Sequence, residues 1–152
     1  MKRLSLVISF CITFLFCGCF FDSNVHYSIV VTNNSDNDIY VDGWDSPDEL
    51  YVGFSLLYHN QQSYRVPAHS TCETAKLDGR ASWEGLLNSS EWDTLAFFFF
   101  NANYIDSLEQ NGFDYYDNYY QTIQDLNDYA VLRRDCFSLQ DLDSLNWTLT
   151  YP

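Results

Sequence analysis

Asp36, Asp38, Asp42, Asp45, Asp48 and Glu49 crowd one stretch of this chain with carboxylates, and several close oxygens are what calcium selects. The spacing does not follow through. Counted from Asp36 as an EF-hand loop, the fifth position is Tyr40 and the sixth, where a glycine must turn the chain, is Val41. Solvated turn carboxylates are the expected reading. His26, His59 and His69 lack the i, i+4 spacing by which a helix offers two imidazoles to zinc, so no metal site is expected. Glu84 and Glu91 flank WEGLLNSSEW and have the residue types for glycoside cleavage. That chemistry needs a set distance in space, which no sequence spacing supplies. There is no GxSxG, phosphate loop or cysteine–histidine signature, so no catalytic residue and no cofactor is expected.

Aromatic side chains offer a different chemistry. Trp44, Trp83, Trp92 and the run FDYYDNYY, with Tyr115, Tyr116, Tyr119 and Tyr120, set rings beside carboxylates and amides. Sugars present apolar faces rimmed by hydroxyls, so rings stack on them while polar neighbours take the hydrogen bonds. The competing reading is packing: Tyr116 with Tyr119 or Tyr120 has helical spacing, and such rings can lie against a strand. Packing is the expectation, with carbohydrate binding as its rival.

Cysteine chemistry begins near the N-terminus. Lys2 and Arg3 precede an uncharged apolar stretch, Leu4 to Phe16, and Gly18-Cys19 follows. A positive start, an apolar run and a small residue at a cut are the marks of a secretory signal. The small residue before Cys19 resembles the lipobox of bacterial lipoproteins, in which the cysteine is lipid-modified and becomes the new N-terminus. Cys17 fits less well, because bulky Phe16 would precede the cut. Phe16 also departs from the leucine usual three residues before Cys19. The alternatives are ordinary cleavage or an uncleaved anchor, since Leu4 to Phe21 is uncharged and reaches spanning length. With either leading case residues 22–152 lie outside the inner membrane. The expected organisation is a signal peptide at 1–18, a lipidated tether at 19–25 and one domain at 26–152.

Removing Lys2 and Arg3 lowers the seven basic residues to five and leaves all 21 acidic ones, a formal charge of −16. Nucleic acid and anionic headgroups repel such a chain, so neither is an expected partner. Aromatics at 18% of the chain argue against disorder and for a packed core. Cys72 and Cys136 remain as an even pair in a compartment that permits disulfides, so a bridge between them is expected, with two unpaired apolar residues as the alternative.

These residues need elements to position them. HYSIVV and IYV, separated by TNNSDND, read as a hairpin. YVGFSLLYH, SYRV and TCETAKL read as strands, and WEGLL as a short helical turn. TLAFFFFN is the strongest strand. It sends Phe97 and Phe99 to one face and Phe98 and Phe100 to the other, so it should be central and covered on both sides. The helix-like stretch 102–128 is the expected cover. YAVLRRDCF is β-prone, Ser138 can cap a helix through Asp141, and NWTLTY ends the chain with Trp147, Leu149 and Tyr151 on one face. The fold expected is mainly β: an antiparallel β-sandwich, immunoglobulin-like as one form of it, with helical insertions near 104–128 and 138–145. A single α+β sheet with helices over one face is the alternative.

Asn33-Asn34-Ser35, Arg65-Val66-Pro67, the phenylalanine strand with its helical insert, Leu132-Arg133-Arg134, Ser138 to Leu142 and Leu145 to Pro152 together resemble a group of small, uncharacterised lipoproteins of Bacteroidota. Members end with Arg-Tyr-Asp, a Ser/Thr-started Leu-Glu-Asp-Leu helix and an Asn-Trp-Thr-x-Thr-Tyr-Pro strand. Here Asp135-Cys136 stands in place of Tyr-Asp, so pairing by Cys136 would be peculiar to this chain. The resemblance implies a lipid-anchored envelope protein, most simply of the outer membrane, and carries no activity or functional residue with it. The function expected is a non-enzymatic interaction or structural module attached to the membrane by its lipid, with a protein or glycan partner. An accessory carbohydrate-binding lipoprotein is the alternative.

Overall fold

The structure, a computed structural model, describes residues 25–45, 61–75, 82–110 and 124–152. Cys19, the signal segment, Asp48, Glu49, the expected strand at 51–59, His59, and Tyr115, Tyr116, Tyr119 and Tyr120 lie outside the described residues.

The phenylalanine run dictates the layering. Strand β5 (Leu95–Asn101) is buried on both faces over its first six residues. It lies between β2 (Ile39–Trp44) and β6 (Val131–Phe137), and the short β3 (Arg65–Val66) completes an antiparallel sheet of order β3-β2-β5-β6. The second sheet has order β4-β1-β7, built from β1 (Ile29–Asn33), β4 (Ser70–Thr74) and β7 (Thr148–Tyr151). The fold is mainly β, with two antiparallel-rich sheets and a few short helices in place of one sheet.

Alternation along β5 creates two cores. Leu95, Phe97 and Phe99 meet Ile29, Val31, Val41, Trp83, Leu142, Trp147 and Leu149, so both sheets contribute to one apolar cluster. Phe98 and Phe100 point the other way and meet Ala102, Ile105, Leu126 and Ala130. These come from helix α2 (Ala102–Gln110; α1 is Trp83–Ser89) and from a π-helical turn at Leu126–Ala130. The described parts of the stretch expected to cover the second phenylalanine pair, 102–110 and 124–128, pack against it, and Phe98 and Phe100 are both buried. Gly43 stands opposite Phe97, and its lack of a side chain makes room: a Cβ would lie 2.5 Å from the Trp83 indole and 2.7 Å from the Phe97 ring.

Two expectations about strand pairing fail. β1 and β2 are not a hairpin; they lie in different sheets. The reason is Asn33, which is fully buried and turns the chain from one sheet to the other. Its Nδ2 donates to the carbonyls of Asn37, Val66 and Pro67 at 2.8–3.2 Å, and its Oδ1 accepts from the backbone and hydroxyl of Ser35. A turn-former cluster therefore built a corner between layers. The pairing is also not antiparallel throughout, because β1 runs parallel to β7.

The Cys72–Cys136 bridge is absent, and both thiols are free. Cys72, on β4, packs against the cluster between the sheets. Cys136 stands opposite Ala96 on the other face of the four-stranded sheet and is exposed. Side chains alternate across a strand, so this register turns the two sulfurs toward different layers.

The C-terminal reading holds closely. Ser138 and Asp141 form a reciprocal capping box that opens α3 (Leu139–Ser144). Leu142 is buried and Leu139 packs against the same cluster, while Leu145 at the C-cap is exposed. Trp147 and Leu149 are buried, with Tyr151 packed beside them and stacked on Phe99 at 5.4 Å.

Candidate functional site

Where the segment before β1, the start of α1 and the end of α3 converge, the surface opens into a cleft of about 500 Å³. It is lined by His26, Glu84, Leu139, Asp143, Asn146 and Trp147. Ser82 caps α1 by accepting from the Gly85 N–H, which sets Glu84 in the first helical turn. A carboxylate there is favoured by the unsatisfied N–H groups and dipole of a helix start. Glu84 spends its charge on His26: its oxygens accept the backbone N–H at 3.0 and 3.1 Å, and Oε1 lies 2.6 Å from Nδ1. The Trp83 N–H donates back to the His26 carbonyl. These bonds staple the chain entering β1 onto α1.

The far wall of the cleft is made by an unusual turn. Asn146 and Trp147 both adopt left-handed backbone, with φ of 48° and 53°. For a residue as bulky as tryptophan this costs about 1–3 kcal/mol, held only because surrounding contacts over-determine it. Those contacts are clear. The Trp147 N–H donates to the Leu142 carbonyl, its indole Nε1 donates to Asp143 Oδ1 at 2.9 Å, and its ring stacks on His26 at a centroid distance of 4.0 Å and 13°. Burial of the indole and two hydrogen bonds offset the backbone strain.

The tautomer of His26 follows from its partner. Ionised Glu84 can only accept, so Nδ1 carries the hydrogen in this pair. Nε2 has no hydrogen-bond partner among the described residues. The cleft thus combines an oriented imidazole, two carboxylates, an exposed amide and an apolar wall.

A second polar constellation sits on the four-stranded sheet. Arg65 pairs with Asp38 at 2.9 Å and with Asp106 at 3.1 Å, and Tyr40 donates its hydroxyl to Asp106 at 2.8 Å. Burial first, and then the bond to and charge of Asp106, push the Tyr40 phenol up to about 12, against the opposing pull of Arg65. The Ala68 N–H, the largest influence, holds Asp38 below its ordinary value; burial opposes it, and the bond to and charge of Arg65 add to the lowering. This network joins β2, β3 and α2 across one face, and it reads as a clamp on the fold.

Of the residues singled out for sugar stacking, the three tryptophans are described, and they stand in different surroundings. Trp83 is buried in the core between the sheets, edge-on to Phe97. Trp44 is half-buried against the cluster of Phe98 and Phe100, and Trp92 is exposed. Glu84 faces His26, and Glu91 does not line the cleft. His69 pairs with Asp36 on the open surface. Among the described residues, no group of three or more His, Cys, Asp or Glu side chains is placed to hold a metal ion. No helix among them is long and apolar enough to cross a membrane.

Sequence reasoning missed the His26–Glu84 pair because 58 positions separate its members. The left-handed turn at Asn146 carried one usable signal, since asparagine is enriched in that conformation. Comparison with protein-family models, with curated proteins and with solved structures finds no match.

Proposed function

We propose that this chain is a lipid-anchored envelope protein, acylated at Cys19, that works as a non-enzymatic interaction module and receives its partner at the His26–Trp147 cleft. One observation carries the reading. His26 is both a wall of the cleft and the seventh residue after Cys19. Seven residues reach at most about 25 Å, so an acylated Cys19 tethers this cleft close to the membrane surface. The rigid stack of His26 on Trp147, paid for in backbone strain, gives that position a preformed shape.

The two sheets, which share one apolar cluster, are read here as a β-sandwich, with an immunoglobulin-like arrangement included in the proposal. The sheet order and the inter-sheet cluster support it.

Accessory glycan binding is the second reading. Trp92 is exposed, and the Ser90 hydroxyl donates to the Asp45 carbonyl, tying the turn of Trp92 to the end of the strand that carries Trp44. Trp83 no longer belongs to this set.

Labelling cells with a clickable fatty acid, followed by native-size separation of the detergent-extracted protein, tests the first reading. The expected result is a labelled species larger than the monomer, with label and complex both lost in Cys19→Ser. Equal labelling of the variant, or a labelled protein found only as monomer, overturns it. A glycan array giving binding to one sugar class that is lost in Trp92→Ala would favour the second reading instead.

A further inference from the structure

We infer that the His26–Trp147 cleft is a receptor for an arginine or lysine side chain presented by a partner protein. This deepens the interaction-module reading and rests on it.

The inference starts from the hydrogen-bond inventory of the cleft. Two carboxylates on two different helices offer acceptors there. Glu84 holds its carboxylate against His26 and has only acceptor atoms. Asp143 commits Oδ1 to the Trp147 indole, and its Oδ2 has no hydrogen-bond partner among the described residues. The Asn146 amide, also on the lining, can both donate and accept. A ligand matching this wall must bring several N–H or O–H donors, and with two carboxylates present it gains from positive charge.

Shape narrows the class. The imidazole lies flat on the indole at 4.0 Å, so one face of the ring is covered and the His26 side chain remains about one-third exposed. A planar guanidinium stacks on such a face, and its fork of donors reaches carboxylates at the same time. Leu139, half-buried on the same wall, gives apolar surface to the alkyl stem. The formal charge of the chain after its signal, −16, steers a basic partner toward it and repels acidic ones.

The test uses the intact lipidated chain in an uncharged detergent and tetra-arginine as probe, with tetra-citrulline as the uncharged control that keeps the ureido donors. Calorimetry at low ionic strength should show tetra-arginine binding and citrulline binding more weakly. Asp143→Asn keeps an acceptor for the Trp147 indole but removes the charge, so it should weaken binding about tenfold or more. Asp128→Asn removes the same charge from the exposed π-helical turn and should change binding less than about twofold. A thermal melt of each variant confirms that the fold is kept. No binding of tetra-arginine, or equal loss in the two variants, overturns the assignment. Displacement of the peptide by phosphatidylethanolamine vesicles also overturns it, because the cation would then be a lipid headgroup. If the envelope complex persists while tetra-arginine fails to bind, the interaction reading stands and this site alone falls.

Discussion

The rings of His26 and Trp147 stack at 4.0 Å, 13° from parallel, although the two residues are 121 positions apart in the numbering. The contact closes the domain: the residue entering the first strand is pressed against the residue entering the last. β1 and β7 then run parallel from that point, with Val30 donating to the Trp147 carbonyl.

Glu84 fixes the imidazole in that stack. Glu84→Ala leaves the His26 N–H and Nδ1–H without their acceptor, so a loss of about 1–3 kcal/mol is expected. Glu84→Gln keeps one acceptor oxygen and should lose less. Urea denaturation of both variants, read at an unchanged m-value, checks the order.

Gly43 is the tightest point between the sheets. Gly43→Ala drives a methyl group into Trp83 and Phe97, and overpacking of this kind costs about 1–3 kcal/mol. Pairing it with Phe97→Leu should return part of that loss. Denaturation midpoints of the two single variants and the double variant decide whether the sites are coupled.

Tyr40 sets the alkaline limit. Its phenol is raised to about 12 from an ordinary 10.0, so the native state favours the neutral form. That contribution is complete below pH 10 and is lost as the pH rises through about 12. Asp38 acts at the other end. Its pKa is lowered from 3.8, so its contribution is present above that value and lost as the pH falls through the lower folded one. Melting temperature across pH should show Tyr40→Phe losing part of the alkaline decline and Asp38→Asn losing part of the acid decline.

What could be read from the sequence was whatever local pattern decides. Four consecutive phenylalanines cannot share one face, so a central strand with two covered sides followed from alternation alone. Ser138 and Asp141 formed their capping box because capping is chemistry within one turn. Asn33 shows the limit. A cluster of turn formers says that the chain bends but not into which sheet it goes, and the deciding bonds run to Val66 and Pro67, far along the chain. The same limit hid the cleft, whose residues come from three separate stretches. Trp83 packs in the core, as the favoured reading of the rings expected, but tryptophan serves cores and surfaces alike, and only Gly43 beside it reveals the space reserved for it.

Site-specific photo-crosslinking in the native envelope tests the interaction reading most directly. A photo-reactive phenylalanine replacing Leu145, exposed beside Asn146 at the cleft, is compared with one replacing Asp128 on the exposed π-helical turn. The account predicts a discrete protein adduct from position 145 that is absent from position 128 and lost when Cys19→Ser removes the anchor. No adduct at 145, or the same adducts from both positions, would contradict it.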